Sequence, residues 1–125
     1  MVVKFSAKNK TKILLVEDIK IIQIVHAQYL KNLRCDVDVA SNAAETLCLA
    51  KNHYDLILLD IGLPDMNGVD LCVKLKEQPP HKNTRIFALT AYVGSDIEKS
   101  CLQAGMEKVL HKPITQDELK IEIFK

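Results

Sequence analysis

Five short apolar segments recur along the chain with longer mixed segments between them. Two of them are unbroken runs, ILLV at residues 13–16 and LILL at residues 56–59. Continuous apolar runs of this length are typical of strands that are covered on both faces, as in a parallel sheet. Three weaker segments, at residues 37–40, 86–89 and 108–110, complete the set. The pattern therefore predicts five strands.

A helix with one apolar side is predicted between the first two strands. Four apolar residues recur there at three- and four-residue spacing, and we expect them to face the core: Ile22, Val25, Tyr29 and Leu33. At about 100° per residue, Ile24 points away from this stripe, and Ile19 lies at the start of the helix. These two isoleucines are therefore expected on the surface.

Short capping patterns predict where the other helices begin. In a capping box, the first side chain and a Glu three residues later satisfy free backbone donors at the helix start. Three pairs have this spacing: Asn42 with Glu45, Ser95 with Glu98, and Thr115 with Glu118. A further helix over residues 67–77 is expected to end before Pro79 and Pro80, because proline cannot continue it.

Strands and helices thus alternate five times without an internal linker. This alternation predicts an α/β fold, doubly wound, with a five-stranded parallel sheet and helices on both faces. Ligands of such sheets bind outside the carboxyl ends of the strands. The residues that directly follow each strand are therefore the candidates for chemistry.

Composition narrows the class of protein. The chain has 125 residues, 48% hydrophobic and 26% charged, which is close to the average of globular domains. Its net charge is +1, so we expect no nucleic-acid contact by the domain itself. No apolar run approaches the ~18 residues of a membrane span, so we expect no membrane contact either. Residues 1–11 are lysine-rich and predict an arm or linker before a domain at residues 12–125.

Cysteines and histidines show no metal-ligand spacing. The cysteines lie in apolar or helical contexts and are predicted to be small buried side chains in a reducing, cytoplasmic compartment: Cys35, Cys48, Cys72 and Cys101. The histidines are predicted to be surface or helix-edge residues: His26, His53, His81 and His111.

Charged and hydroxyl side chains follow four of the predicted strands. Glu17 and Asp18 follow the first, Asp60 the third, Thr90 the fourth and Lys112 the fifth. Three neighbouring carboxylates repel one another and raise their own pKa values unless a cation lies among them. Oxygen ligands of this kind suit Mg²⁺. The sequence therefore predicts a magnesium site at the carboxyl edge of the sheet.

An aspartate beside Mg²⁺ and a lysine is equipped to become an aspartyl phosphate. The transferred group spreads its charge over three oxygens, so catalysis needs mainly positioning and neutralisation. The cation, Lys112 and the Thr90 hydroxyl can each bind one of these oxygens. Each residue alone is explained more simply by a loop, a turn or a cap. Their joint occurrence, each at its own strand end, favours phosphoryl transfer.

The motifs that carry these residues resemble the response-regulator receiver domain of two-component signalling. Four stretches match it, namely ILLVED (13–18), YDLILLDIGLPDMNG (54–68), ALTA (88–91) and AGMEKVLHKP (104–113). The residues of these stretches are most similar to those of receivers in hybrid sensor histidine kinases. The resemblance implies a flavodoxin-like fold with strand order 2-1-3-4-5 and five helices. It also implies that the domain catalyses its own phosphorylation and dephosphorylation.

The resemblance assigns roles to the residues that match the motifs. Asp60 is implied as the phosphoacceptor, which takes a phosphoryl group from a histidine of a kinase or phosphotransfer protein. Asp18 and Asp60 are implied as direct Mg²⁺ ligands, together with the backbone carbonyl of Gly62. Glu17 is implied to bind the ion through water.

The resemblance also implies the rest of the site and the partner surface, and the chain departs from the family pattern at one position. Thr90 is implied as the switch hydroxyl, and Lys112 as the phosphate-binding lysine in front of a cis proline. Ile19 and Ile24 lie on the helix where partners of the family dock. Val109 stands where many receivers carry Tyr or Phe. We therefore expect a monomer that passes its phosphoryl group on, without strong dimerisation.

Three other functions were weighed against this one. A flavodoxin-like cofactor binder needs a phosphate loop after the first strand, where Glu17 and Asp18 repel an anion. A haloacid-dehalogenase-type phosphatase carries a second Asp two residues after the first, where this chain has Gly62. A degenerate receiver that docks without phosphorylation stays open as the main alternative. Such modules usually lack a key residue, and this chain lacks none.

Overall fold

A computed structural model describes residues 10–92 and 94–125. Its strands are β1 (Lys12–Val16), β2 (Asp36–Ala40), β3 (Leu56–Asp60), β4 (Arg85–Thr90) and β5 (Lys108–His111). Its helices are α1 (Lys20–Asn32), α2 (Ala43–Leu49), α3 (Gly68–Glu77), α4 (Ser95–Gln103) and α5 (Gln116–Phe124), with a 3-10 turn at Pro79–His81. The arm predicted for residues 1–11 lies, as far as residue 9, outside the described residues. No helix in the described ranges is long and apolar enough to cross a bilayer.

The five strands form one parallel sheet in the order β2-β1-β3-β4-β5. The predicted fold class and strand order are thereby confirmed. Successive residues of β1 enter opposite faces: Leu14 packs with α2, α3 and α4, and Ile13 packs with α1 and α5. Because both faces are covered, β1 and β3 are buried along their apolar runs. The runs in the sequence are unbroken for this reason.

Two of the three predicted helix starts carry a side-chain cap. At α5, Thr115 accepts from the backbone of the third helical residue and the full capping box is present. At α2, Asn42 caps as predicted, but the Glu45 carboxylate accepts from the backbone of Ser41 instead of Asn42. The prediction for Ser95 is wrong. Ser95 is already the first helical residue, after Gly94, and makes no capping bond.

The apolar face of α1 differs from the predicted stripe. The buried positions are Gln23, His26 and Leu30, whereas Val25 is 38% exposed and Ile22 only half-buried. The core-facing stripe is therefore rotated toward two polar residues. Burial of Gln23 is possible because its amide donates to two oxygens inside the fold.

Two histidines are buried, which makes their predicted surface location wrong. The His81 ring is enclosed because both of its nitrogens have partners, the Ala50 carbonyl oxygen at 2.6 Å and Thr84 Oγ1 at 3.0 Å. His26 is buried on α1 and its Nδ1 has no hydrogen-bond partner among the described residues. The hydrophobic pattern alone does not reveal that a polar residue with internal partners, such as His81, is buried.

Three of the four cysteines are buried, as predicted. The prediction is wrong for Cys48, because its position on α2 faces solvent. Burial raises the pKa of Cys72 to about 11, so this thiol is protonated and unreactive at neutral pH.

Candidate functional site

Three carboxylates meet at the carboxyl edge of the sheet. Glu17 and Asp18 follow β1, and Asp60 is the last residue of the neighbouring strand β3. One oxygen of each carboxylate lies within 4.8 Å of an oxygen of the other two. Glu17 and Asp60 are buried, and Asp18 is exposed on the solvent side. The parallel register brings together side chains that are 42 residues apart in sequence.

The environment of Asp60 opposes its negative charge. Burial raises the pKa of this carboxyl, and the neighbouring Glu17 carboxylate raises it further. The Gly62 N–H, which donates to Asp60 Oδ1 at 3.1 Å, and the Lys112 ammonium lower the pKa and only partly offset these effects. An ionised Asp60 is therefore costly in this edge without a further cation.

Lys112 is the cation that the fold itself supplies. It follows β5, and the Lys112–Pro113 peptide is cis, as the resemblance implied. Its Nζ lies 2.6 Å from Glu17 Oε1 and 3.6 Å from Asp60 Oδ2. One ammonium thus contacts two of the three clustered carboxylates. The excess negative charge and the all-oxygen donor set fit Mg²⁺, which prefers such ligands.

Thr90 ends β4 next to the carboxylates. Its Oγ1 accepts from the backbone N–H of Tyr92 at 2.9 Å, and its carbonyl accepts from the backbone of Lys112 at 2.9 Å. The hydroxyl proton has no acceptor among the described residues, so it is available to a ligand. Thr90 therefore lies at the strand end where the sequence predicted it, with a free donor.

Two glycines shape the segment after Asp60. A Cβ added at Gly68 would lie 2.7 Å from the Ile61 Cα and 2.9 Å from the Asp60 carbonyl oxygen, so α3 approaches the site only with glycine there. A Cβ at Gly62 would face the Tyr92 ring at 3.8 Å and the Asp60 carboxylate at 4.0 Å. Gly62 thus leaves open the space above the carboxylate. Gly68 and Tyr92 were not among the residues predicted to form the site.

Gln23 holds the backbone beside the site, and the sequence pattern did not predict this role. Its Nε2 donates to the Glu17 carbonyl oxygen at 2.9 Å and to Ser41 Oγ at 3.0 Å. The signal in the sequence was a glutamine adjoining an apolar helical stripe. That signal is weak, because an exposed glutamine gives the same pattern.

Asp65 does not join the cluster of three carboxylates and instead binds the start of a neighbouring helix. Its Oδ1 accepts from the Ala43 N–H at 2.8 Å and its Oδ2 from the Ala44 N–H at 3.1 Å. These bonds tie the segment after β3 to the start of α2, and they lower the pKa of Asp65.

The two residues predicted for partner docking are exposed, Ile19 by 48% and Ile24 by 53%. A groove of about 390 Å³ lies between α1 and the segment that follows β5. Ile21, Ile22 and Val25 form one wall of it, and Lys112 lies among its lining residues. Ile19 and Ile24 are outside this lining, and Ile24 lines a separate hollow toward β2.

Comparison with known sequences gives one family. Residues 13–124 match the response regulator receiver domain. The aerobic respiration control sensor protein ArcB of Escherichia coli (strain K12) is 42% identical over an alignment of 115 residues, which covers 90% of this chain and 15% of that protein. Hybrid signal transduction histidine kinase B of Dictyostelium discoideum is 36% identical over an alignment of 126 residues, gaps included, which covers 91% of this chain and 6% of that protein. The chain thus spans a small part of either relative.

Comparison with solved structures agrees. The receiver domain of sensor histidine kinase PA1611 from Pseudomonas aeruginosa PAO1, solved with a magnesium ion coordinated in its active site cleft, gives a TM-score of 0.85 at 32% identity. The match covers 91% of this chain and 94% of that one. A receiver domain protein from Methanospirillum hungatei JF-1 gives 0.86 at 29% identity, covering 93% and 92%.

Proposed function

We propose that this chain, which belongs to the response regulator receiver domain family, is the phosphoacceptor of a two-component phosphorelay, with Asp60 as the residue that is phosphorylated. The observation that carries the proposal is the acidic edge, the cluster of Glu17, Asp18 and Asp60, of which the Lys112 ammonium contacts only Glu17 and Asp60. The alternative, a receiver that docks without phosphorylation, has no use for a buried Asp60 whose pKa is raised.

The carboxylates of Asp18 and Asp60 are proposed to hold Mg²⁺ directly, with the Gly62 carbonyl as a third ligand and Glu17 acting through water. The bound ion supplies positive charge to the phosphoryl oxygens. Magnesium in the related PA1611 receiver domain supports this assignment. The donors present here are all oxygens, which agrees with the preference of the ion.

The proposed reaction forms an O–P bond at Asp60 while the P–N bond of a partner's phosphohistidine breaks. The electron pair of that bond stays on the leaving imidazole. Lys112, 3.6 Å from Asp60, moves its ammonium from Glu17 toward a phosphoryl oxygen. The Thr90 hydroxyl donates a hydrogen bond to a second phosphoryl oxygen. Both residues act by positioning and neutralisation, which dominate phosphoryl transfer.

The partner is proposed to be a histidine kinase or a histidine phosphotransfer domain, since relatives include hybrid histidine kinases. Docking is assigned to the exposed side of α1, with Ile19 and Ile24 as apolar anchors. A monomeric domain in the cytoplasm, within a hybrid kinase, completes the proposal.

Labelling by acetyl phosphate tests the acceptor. The wild type should take up one acid-stable, hydroxylamine-labile phosphate when Mg²⁺ is present, and Asp60→Asn should take up none. Asp70→Asn, which removes an exposed aspartate ten residues away, is the matched control and should label normally. Labelling of Asp60→Asn at the wild-type rate would refute the assignment. An unlabelled wild type that still binds its partner would favour the docking module.

Transfer from a phosphorylated histidine phosphotransfer domain tests the docking side. Ile19→Asp and Ile24→Asp should slow this transfer about tenfold while acetyl-phosphate labelling stays normal, because hot-spot anchors contribute on the order of 1–2 kcal/mol each. Ile121→Asp on α5, an equally exposed isoleucine, is the control. Equal slowing of both reactions by the α1 variants would indicate damage to the site.

A further inference from the structure

Gln23 is a buried amide on the core-facing side of α1, five residues after Asp18. A polar group in such a position destabilises the fold unless its donors are bonded. Gln23 satisfies both Nε2 hydrogens, one on the Glu17 carbonyl oxygen at 2.9 Å and one on Ser41 Oγ at 3.0 Å. Its Oε1 accepts from Lys20 Nζ at 3.4 Å. The side chain therefore clamps the end of β1 to α1.

The clamped carbonyl belongs to the peptide that joins Glu17 to Asp18. Because a peptide is planar, fixing its oxygen also fixes the N–H and the Cα position of Asp18. The preceding N–H is held as well, since Glu17 N donates to the Ala40 carbonyl at 3.0 Å. On the other side of Asp18, the Ile19 N–H donates to Glu17 Oε2 at 3.2 Å. Both peptides that flank Asp18 are thus held.

Asp18 itself is exposed at the tip of this turn. Its carboxylate reaches the other two only because the flanking backbone directs it there. We propose that Gln23 is a positioning residue for the metal site: by holding the Glu17–Asp18 peptide, it keeps the Asp18 carboxylate within reach of a cation shared with Asp60. This inference rests on the proposed function and deepens it, because it names a residue outside the motifs that sets the affinity for Mg²⁺.

The test separates metal affinity from the reaction rate and from stability. Gln23→Met keeps the length of the side chain and removes both donors. Gln23→Asn keeps an amide that is one methylene too short to reach the Glu17 carbonyl, and serves if the methionine variant fails to fold. The matched control is Gln28→Met, which removes an exposed amide on the same helix that bonds only Asn32.

Titration calorimetry with MgCl₂ should give a dissociation constant about tenfold higher for both Gln23 variants than for the wild type, the usual effect of losing a group that orients a ligand. Gln28→Met should match the wild type. Ser41→Ala should change the constant by no more than about twofold, because the bond to Glu17 remains. At saturating Mg²⁺, acetyl-phosphate labelling of the Gln23 variants should return to within about twofold of the wild-type rate.

An unchanged dissociation constant in the folded Gln23 variants would overturn the inference, whatever happens to their melting temperature. So would a rate that stays low at saturating Mg²⁺ with normal affinity. These failures differ from failure of the proposed function, in which the wild type itself neither binds Mg²⁺ nor takes label at Asp60.

Discussion

The two ends of the sheet treat polar groups in opposite ways. At the amino ends of the strands, buried and half-buried polar side chains form direct pairs. Tyr54, just before β3, donates to Asp38 Oδ2 at 2.7 Å, and Arg85 at the start of β4 forms a two-point contact with Glu107. At the carboxyl ends, three carboxylates lie together, and one ammonium contacts two of them.

This difference shows which end of the sheet gains stability when a ligand binds. The paired groups at the amino end bond one another and so stabilise the fold. At the carboxyl end the repulsion between Glu17 and Asp60 lowers stability, and a bound cation relieves it. Four measurements test the contrast, and they are given in order of expected size.

The largest effect is expected at the amino end. His81→Ala removes a fully buried ring together with its bonds to Ala50 and Thr84, which should reduce the free energy of unfolding by about 3 kcal/mol. His53→Ala, in which a largely exposed ring is lost, is the control and should change it by less than about 0.5 kcal/mol. Urea unfolding measures both. Equal, small losses would show that the amino end is not held by its paired groups.

The next effect tests the carboxyl end with its ligand. Raising Mg²⁺ to ten times its dissociation constant should stabilise the wild type by about 1.4 kcal/mol, because only the folded state binds the ion. That is roughly 4–6 °C in melting temperature for a domain of this size. Asp18→Asn should respond by less than a third of this shift. Calorimetry is the readout, since the chain has no Trp. An equal response would place the ion elsewhere.

The sequence predicted the sheet well because its evidence is redundant. Apolar runs such as residues 13–16, turn residues and alternation all point to one topology, and that topology alone brings Asp18, Asp60 and Lys112 to one edge. Each of these features is local or follows from strand order. The convergence of the acidic edge was therefore predictable without coordinates.

The supporting contacts were not predictable in the same way. Gln23 and His81 are buried because each forms a hydrogen bond with an oxygen inside the fold. Those oxygens belong to Ser41 and Ala50, which are 18 and 31 positions away in the sequence. Hydrophobic periodicity counts such residues as exposed, so it rotated the predicted stripe of α1 toward Val25. Long-range hydrogen bonds leave no periodic trace in one sequence.

A third, smaller effect removes charge from the carboxyl end. In EDTA at pH 7, Asp60→Asn should melt roughly 2–5 °C above the wild type, because a buried carboxylate loses its charge at nearly constant shape. The pKa of Asp60 is raised by folding, so this carboxyl contributes stability below its unfolded pKa near 4. It loses that contribution as the pH rises through the folded pKa. The gap between variant and wild type should therefore narrow toward pH 4. A constant gap would mean that charge is not its cause.

The smallest effect concerns an exception at the carboxyl end itself. Asp65 lies five residues after Asp60, yet two backbone donors of α2, Ala43 and Ala44, bind its carboxylate. The Ala43 bond is the main cause of its lowered pKa, so the sign is opposite to that of Asp60. Its contribution exists above the unfolded pKa near 4 and is lost as the pH falls through the folded value.

Asp65→Asn should therefore lower the melting temperature at pH 7, by no more than roughly 2 °C, since an exposed charge at a helix start is screened by water and salt. The difference from wild type should shrink below pH 4 and in 1 M NaCl. Melting curves of the Asp60 and Asp65 variants across pH 3–7 should thus diverge from wild type in opposite directions. If both moved the same way, net charge and not the pairing of each carboxylate would govern stability at this edge.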